Sequence, residues 1–214
     1  MKITHLRRLS LLFLGGCAGC ASAPVHYHTL SAPAATSVAG HGATMTIEVG
    51  VVRLPAELNR SELMVRSGPT EVTLLENERW ASPLSDEIQE AVQLELRNRA
   101  RGAPDSAPWR AAGKMFVTLN VERLEAQFDR SVALEATWSA KVTLDKPNET
   151  IVKSCRFRAL DAIGGGYAGI VQGYQRELTA LAAAIISELD SPEDLRGQCR
   201  EPEGVAQALR QHTQ

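Results

Sequence analysis

The alternation of apolar and polar positions opens the folded part of the chain at Met45. Met45, Ile47, Val49 and Val51 recur every second residue, the period of a strand with one buried face. Pro55 stops that strand, and a turn carrying Leu58 follows. Residues 63–66 and 71–75 read as two more strands around the turn Ser67-Gly68-Pro69. The period then changes to that of a helix, with Leu84, Ile88, Val92 and Leu96 on one face. Ser82 supplies a cap and Pro83 a first helical position, where no backbone N–H is missed. Asp86 and Glu87 fall in the first turn, which favours acid, and Arg97, Arg99, Arg101 and Gly102 close the helix.

The period returns to two over 114–128. Met115, Val117, Leu119 and Val121 share one parity, whereas Leu124, Ala126 and Phe128 take the other, which predicts a bulge near Glu122 or Arg123. After a turn at Asp129-Arg130, Val132 to Leu144 alternates most clearly. One face carries residues such as Leu134, Trp138 and Val142, and the other carries Glu135, Thr137, Ser139 and Lys141. Residues 151–159 close this meander with Ile151, Cys155 and Phe157 inward. Gly164-Gly165-Gly166 lacks the Lys-Ser or Lys-Thr of a phosphate-binding loop and reads as a flexible turn. A second amphipathic helix follows, led by Tyr167 and running through Tyr174, Leu178 and Ile185 to Leu189. These elements predict an α+β single domain, an antiparallel-rich sheet with two amphipathic helices packed on one face.

The ends of the chain have a different composition. Lys2, Arg7 and Arg8 precede the apolar run Leu9 to Leu14, and Leu14-Gly15-Gly16 stands directly before Cys17. Basic, apolar and small-residue parts in that order make an export signal. The thiol after them fits a lipoprotein signal, with Cys17 as the acylated residue and Cys20 as the alternative. The expected division is a signal peptide over 1–16, a lipidated anchor and flexible linker over 17–44, the domain over 45–190 and a polar tail over 191–214. Within the linker, Tyr27 and Leu30 are expected to pack on the domain. The stretch to Thr44 is expected to be mobile, giving a reach of roughly 20 Å. His26 and His28 offer two ligand types with no third nearby in sequence, so a solvated or strand-edge reading outweighs a metal site.

Charge and chemistry narrow the function. Removal of residues 1–16 leaves 20 basic against 25 acidic residues, a net charge of −5. That balance excludes a nucleic-acid partner and a polybasic grip on anionic lipid, so membrane attachment falls to the acyl chains. Cys155 and Cys199 are an even pair in an exported chain, which favours a disulfide over two free thiols. No histidine lies between His41 and His212, so the domain lacks the usual general base and the commonest zinc ligand. Carboxylates fall on helix turns and solvent faces. No catalytic residue, metal site or cofactor is expected, and the chain reads as non-enzymatic.

Several stretches together resemble the auxiliary lipoproteins of ABC-type transport systems, the PqiC/YmbA type. These are Tyr27-x-x-Leu30, the run Leu54-Pro55-x-x-Leu58-Asn59-Arg60, Trp80-Ala81-Ser82-Pro83-Leu84, and the Tyr167-led helix. The resemblance spans roughly residues 26–190. Ser61 stands where many relatives carry proline, and the cysteine-bearing tail also departs from the pattern. The resemblance implies an outer-membrane lipoprotein facing the periplasm, with an MCE-domain protein and inner-membrane transport components as partners. It implies docking of a lipid-transport assembly and support of the envelope. A periplasmic lipid-binding carrier is the alternative. Ala18 is not the Asp that commonly retains lipoproteins in the inner membrane. The face around Glu135, Thr137, Ser139 and Lys141 is the candidate contact surface, for a partner or a second copy, beside the plainer reading of a solvated sheet face.

Overall fold

The computed structural model describes residues 23–31, 45–102, 112–144, 149–190 and 197–199. The strands are β1 (His26–His28), β2 (Thr46–Val49), β3 (Glu62–Arg66), β4 (Val72–Trp80), β5 (Ala112–Gln127), β6 (Ser131–Leu144) and β7 (Thr150–Ala162). A 3-10 turn spans Ala56–Leu58, and the helices are α1 (Leu84–Gly102) and α2 (Gly166–Ser187).

These strands form one mixed sheet in the order β1-β4-β3-β5-β6-β7, with β2 also on β5. β5, β6 and β7 are the predicted antiparallel meander. The other edge of β5 serves several neighbours. β2 runs parallel to its first half, Arg53 bridges to Asn120, and Arg66 at the end of β3 meets Gln127. Both helices cover one sheet face. Leu84, Ile88, Val92 and Leu96 of α1 and Ile170, Leu178, Leu181 and Ile185 of α2 are buried there. Beneath them lie Met115, Val117, Leu134, Trp138 and Val142. The predicted α+β domain is therefore the one observed.

The bulge falls where the parity change predicts it, between Val121 and Arg123. Two consecutive residues, Glu122 and Arg123, are thereby both exposed between the buried Val121 and Leu124. Two glycines set the seat of α2. A Cβ on Gly173 would meet methyl groups of Val132 and Ile163 at 2.7 Å, and one on Gly169 would meet the Gly164 carbonyl oxygen at 1.8 Å. Gly165 and Gly166 adopt φ of 83° and 68°, the left-handed region that glycine enters without strain. The Gly166 N–H donates to Asp129 Oδ1 at 2.9 Å, so the glycine triplet is a docked turn and not merely a flexible one.

Several boundaries differ from the sequence pattern. β4 runs on to Trp80 instead of ending at 75, because His26–His28 pair in parallel with Glu78–Trp80 and Glu62 pairs with Arg79. β7 continues past 159 to Ala162, held by the start of β6. α1 begins at Leu84, with the Pro83 carbonyl accepting the first helical N–H from Glu87 at 3.1 Å. Val51 is 78% exposed, since β2 ends at Val49 and Val52 turns inward in its place. Phe128 lies past the end of β5, is partly exposed, and packs edge-on against Tyr167 with ring centroids 5.2 Å apart.

Candidate functional site: the outer sheet face and the N-terminal strap

The helix-free face of the sheet carries the predicted contact residues. The bulge adds Glu122 and Arg123 to the side where Glu135 and Thr137 already point. Glu135 receives Arg123 at 3.4 Å and Arg158 at 3.3 Å. Glu125 receives Arg66 at 2.7 Å and Arg123 at 2.8 Å. Glu122 accepts from the Thr137 hydroxyl at 2.5 Å and pairs with Arg156 at 3.2 Å. The Ser154 hydroxyl donates to the Ser139 Oγ at 2.9 Å, and Lys141 is exposed. The structure therefore places Glu135, Thr137 and Ser139 on one face, where Ser139 pairs with Ser154 apart from the charged groups of β3, β5, β6 and β7. Four arginines meet three glutamates on that face. The Thr137 hydroxyl, followed by Arg156, holds Glu122 below the usual carboxylate range. Burial works to raise Glu125, but hydrogen bonds from Arg66 and Arg123 outweigh it and hold that group low as well. Such a face presents arginines in fixed positions, and a partner's carboxylate must compete with the glutamates already there.

The second arrangement was not visible in the sequence. β1 is an edge strand, and its alternation turns His26 and His28 to one side with Glu78 between them. His26 Nδ1 lies 2.9 Å from Glu78 Oε1 and His28 Nε2 lies 2.5 Å from Glu78 Oε2. Burial pushes Glu78 up, yet the hydrogen bonds and charges of the two imidazoles prevail and hold it low. Nine residues on from Glu78, the Glu87 carboxylate closes a second clasp. It accepts from the Thr29 hydroxyl (2.7 Å), the Leu30 N–H (2.8 Å), the Ser82 N–H (3.1 Å) and the Ser82 hydroxyl (2.7 Å). Leu30 is buried as expected, but Tyr27 is 66% exposed, because the parity that turns the histidines toward Glu78 turns Tyr27 to the other side. Two expectations are corrected here. Histidines do belong to the folded domain, and Glu78, Glu87, Glu177 and Glu188 are buried carboxylates. Glu78 sits between the imidazoles as a hydrogen-bond acceptor. Among the described residues no group of three His, Cys, Asp or Glu side chains is arranged to hold a metal ion.

The separate stretches Leu58 to Arg60 and Trp80 to Leu84 meet beside Tyr174 of α2. They surround a cavity of about 20 Å³, the space of one water molecule. The Trp80 and Tyr174 rings lie 6.4 Å apart, and burial pushes the Tyr174 hydroxyl well above its usual range. A small-molecule pocket is more than tenfold larger. A wider depression of about 600 Å³ between Thr150–Ser154 and Gly197–Cys199 is open to solvent, with mixed polar and apolar walls. One turn after Tyr174, Glu177 is 1% exposed and neither carboxylate oxygen sits in a full hydrogen bond. Burial pushes it up to about 8. The Asp161 carboxylate adds to that push, and the Asp161 N–H and Arg176 oppose it.

At the far edge, β7 turns Lys153 inward beside Cys155, a position the sequence pattern passed over. Lys153 Nζ lies 2.6 Å from Glu188 Oε2 just beyond α2. The Cys155 and Cys199 sulfurs are 1.95 Å apart, with Cα atoms at 5.7 Å. Cys17 and Cys20 lie outside the described residues. Among the described residues no helix is long and apolar enough to cross a membrane.

A filled α+β core, a charged open sheet face and a strapped N-terminal strand define a domain that offers surfaces. The chain belongs to the family of ABC-type transport auxiliary lipoprotein components, whose family model matches residues 28–186. It is thus a member of a lipoprotein family that serves ABC-type transport. Its structure is similar to the crystal structure of an uncharacterized protein, with a TM-score of 0.55 and 14% identity over 78% of this chain and 99% of that one. It is also similar to a Xanthomonas campestris protein, with a TM-score of 0.46 and 13% identity over 78% of this chain and 92% of that one. The first likeness shows a shared fold. No curated protein sequence matches the chain.

Proposed function

We propose that the protein is a non-enzymatic, outer-membrane lipoprotein that faces the periplasm and docks an MCE-type lipid-transport assembly by contact. The observation that carries this reading is the clasp of β1 to the domain by Glu78 and Glu87. It ties the domain closely to an N-terminus that bears the lipoprotein signal. The acylated residue is Cys17, or Cys20 in its place. The linker expected up to Thr44 falls on residues 32–44, which lie outside the described residues, and β1 before it is paired in the sheet. Family membership supports the transport role. The water-sized cavity beside Trp80 supports contact over the carrier alternative. The face around Glu135, Thr137, Ser139 and Lys141 is the contact surface of this reading, and Ala18 agrees with outer-membrane sorting. The Cys155–Cys199 disulfide belongs to the same exported state, and recovery of both as free thiols in peptide maps of exported protein would remove it.

Deletion and rescue test the proposal. Cells lacking the protein are expected to show a lipid-asymmetry or detergent-sensitivity defect, sharpest when parallel systems are removed as well. A Cys17→Ala form that is exported, soluble and folded is expected not to restore them. Full rescue by that form would refute anchored docking.

A further inference from the structure

We infer that the N-terminal edge of the sheet, at Val25 and Tyr27, rests on the phospholipid surface that holds the anchor. This rests on the anchored reading above and adds the orientation of the domain. Only nine residue steps separate Cys17 from His26, and six separate Cys20 from it. Covalent geometry limits that distance to about 30 Å from Cys17 and about 20 Å from Cys20. A flexible chain of those lengths spans on average about 15 Å. β1 cannot lengthen the tether by peeling away cheaply, since Glu78 holds both histidines and Glu87 holds the Thr29 hydroxyl and the Leu30 N–H.

Two apolar side chains face outward at this edge, beside the exposed His26. Val25 is 41% and Tyr27 66% exposed, and two residues apart on an extended segment they point to the same side. The other side of the strand carries His26 and His28 on Glu78 and Leu30 in the core, so neither Val25 nor Tyr27 contributes to the core. A tyrosine with its body exposed suits the boundary between headgroup and acyl chain. Its cross-strand neighbour is Arg79, whose side chain is 37% exposed and lies 3.7 Å from Glu62. A guanidinium beside that ring suits a lipid phosphate. Two side chains bind a bilayer weakly on their own, but a tether this short makes the contact intramolecular and raises its effective concentration to the millimolar range.

The experiment uses the full lipidated protein in vesicles of phosphatidylcholine with dibrominated acyl chains, which quench tryptophan at the headgroup–acyl boundary. The variants are Tyr27→Trp, Val25→Trp and a control, Val152→Trp. Val152 lies on β7 at the opposite edge, five strand spacings or about 24 Å away. Emission is read above that of the three native tryptophans. The added emission of Tyr27→Trp and Val25→Trp is expected to fall by about half and that of Val152→Trp by less than about a tenth. A chain acylated at Cys17 or Cys20 whose three variants are quenched equally little overturns the surface contact and leaves the anchor standing. A mature N-terminus with no acyl chain by mass spectrometry overturns the anchored reading and this contact with it.

Discussion

Glu87 on α1 and Glu177 on α2 are both carboxylates sealed from water, 3% and 1% exposed. Glu87 receives four hydrogen bonds, two from backbone N–H groups and two from hydroxyls. Glu177 has no full hydrogen bond and is pushed up to about 8. Burial is nearly equal, so burial does not decide their roles. The difference lies in what the neighbouring chain offers. α1 starts where two loops converge, and loop N–H groups are free to donate. Glu177 faces strands β6 and β7, whose N–H groups are largely committed to their ladder. One glutamate joins three segments, and the other is a polar group held in the core with its proton.

Removing the satisfied group has the largest expected effect. Glu87→Ala leaves four donors without their acceptor and is expected to cost about 3–5 kcal/mol. Amide exchange at Leu30 and Ser82 should quicken in step. A cost under about 1 kcal/mol in urea unfolding would sink the clasp. Glu177→Gln acts in the opposite direction and depends on pH. Below about pH 4.5 the carboxyl is protonated in both folded and unfolded chains. Between 4.5 and about 8 the unfolded chain releases the proton while the folded one keeps it, so native stability falls as pH rises through that window and levels off above it. The variant escapes this loss. Its gain should be near zero at pH 4 and reach about 2–4 kcal/mol at pH 8. Urea midpoints at three pH values read this out, and a gain that does not vary with pH would contradict it. The smallest effect belongs to the exposed lattice. Glu135→Ala is expected to change stability by about 1 kcal/mol or less, and by still less in high salt. A larger thermal shift would mean that the outer face contributes to the fold as the buried clasp does.

The hydrophobic framework was legible because each strand and helix repeats its own period. The parity change across Glu122 and Arg123 located the bulge, and the face of Leu84, Ile88, Val92 and Leu96 located α1. The polar framework was not legible, since a buried glutamate and a solvated one look alike along a chain. Glu87 reads as an acid favoured by a helix dipole, and nothing local announces Thr29 and Leu30, 58 and 57 residues away. The end of β4 is the polar run Glu76-Asn77-Glu78-Arg79, which becomes strand only through its distant partners. Lys153 hid among alternating residues because its acceptor, Glu188, lies beyond another helix. The candidate contact face reads from β6 alone, whereas its arginines come from β3, β5 and β7.

The parallel pairing of β1 with β4 also fixes an order in time. His26 meets Glu78 across 52 residues, so the first strand of the sheet leaves the ribosome early and has nothing to pair with until residue 80 has followed. Closing so long a loop costs chain entropy before any contact repays it. Once Glu78 and Glu87 engage, the first strand and the start of α1 are held as one piece.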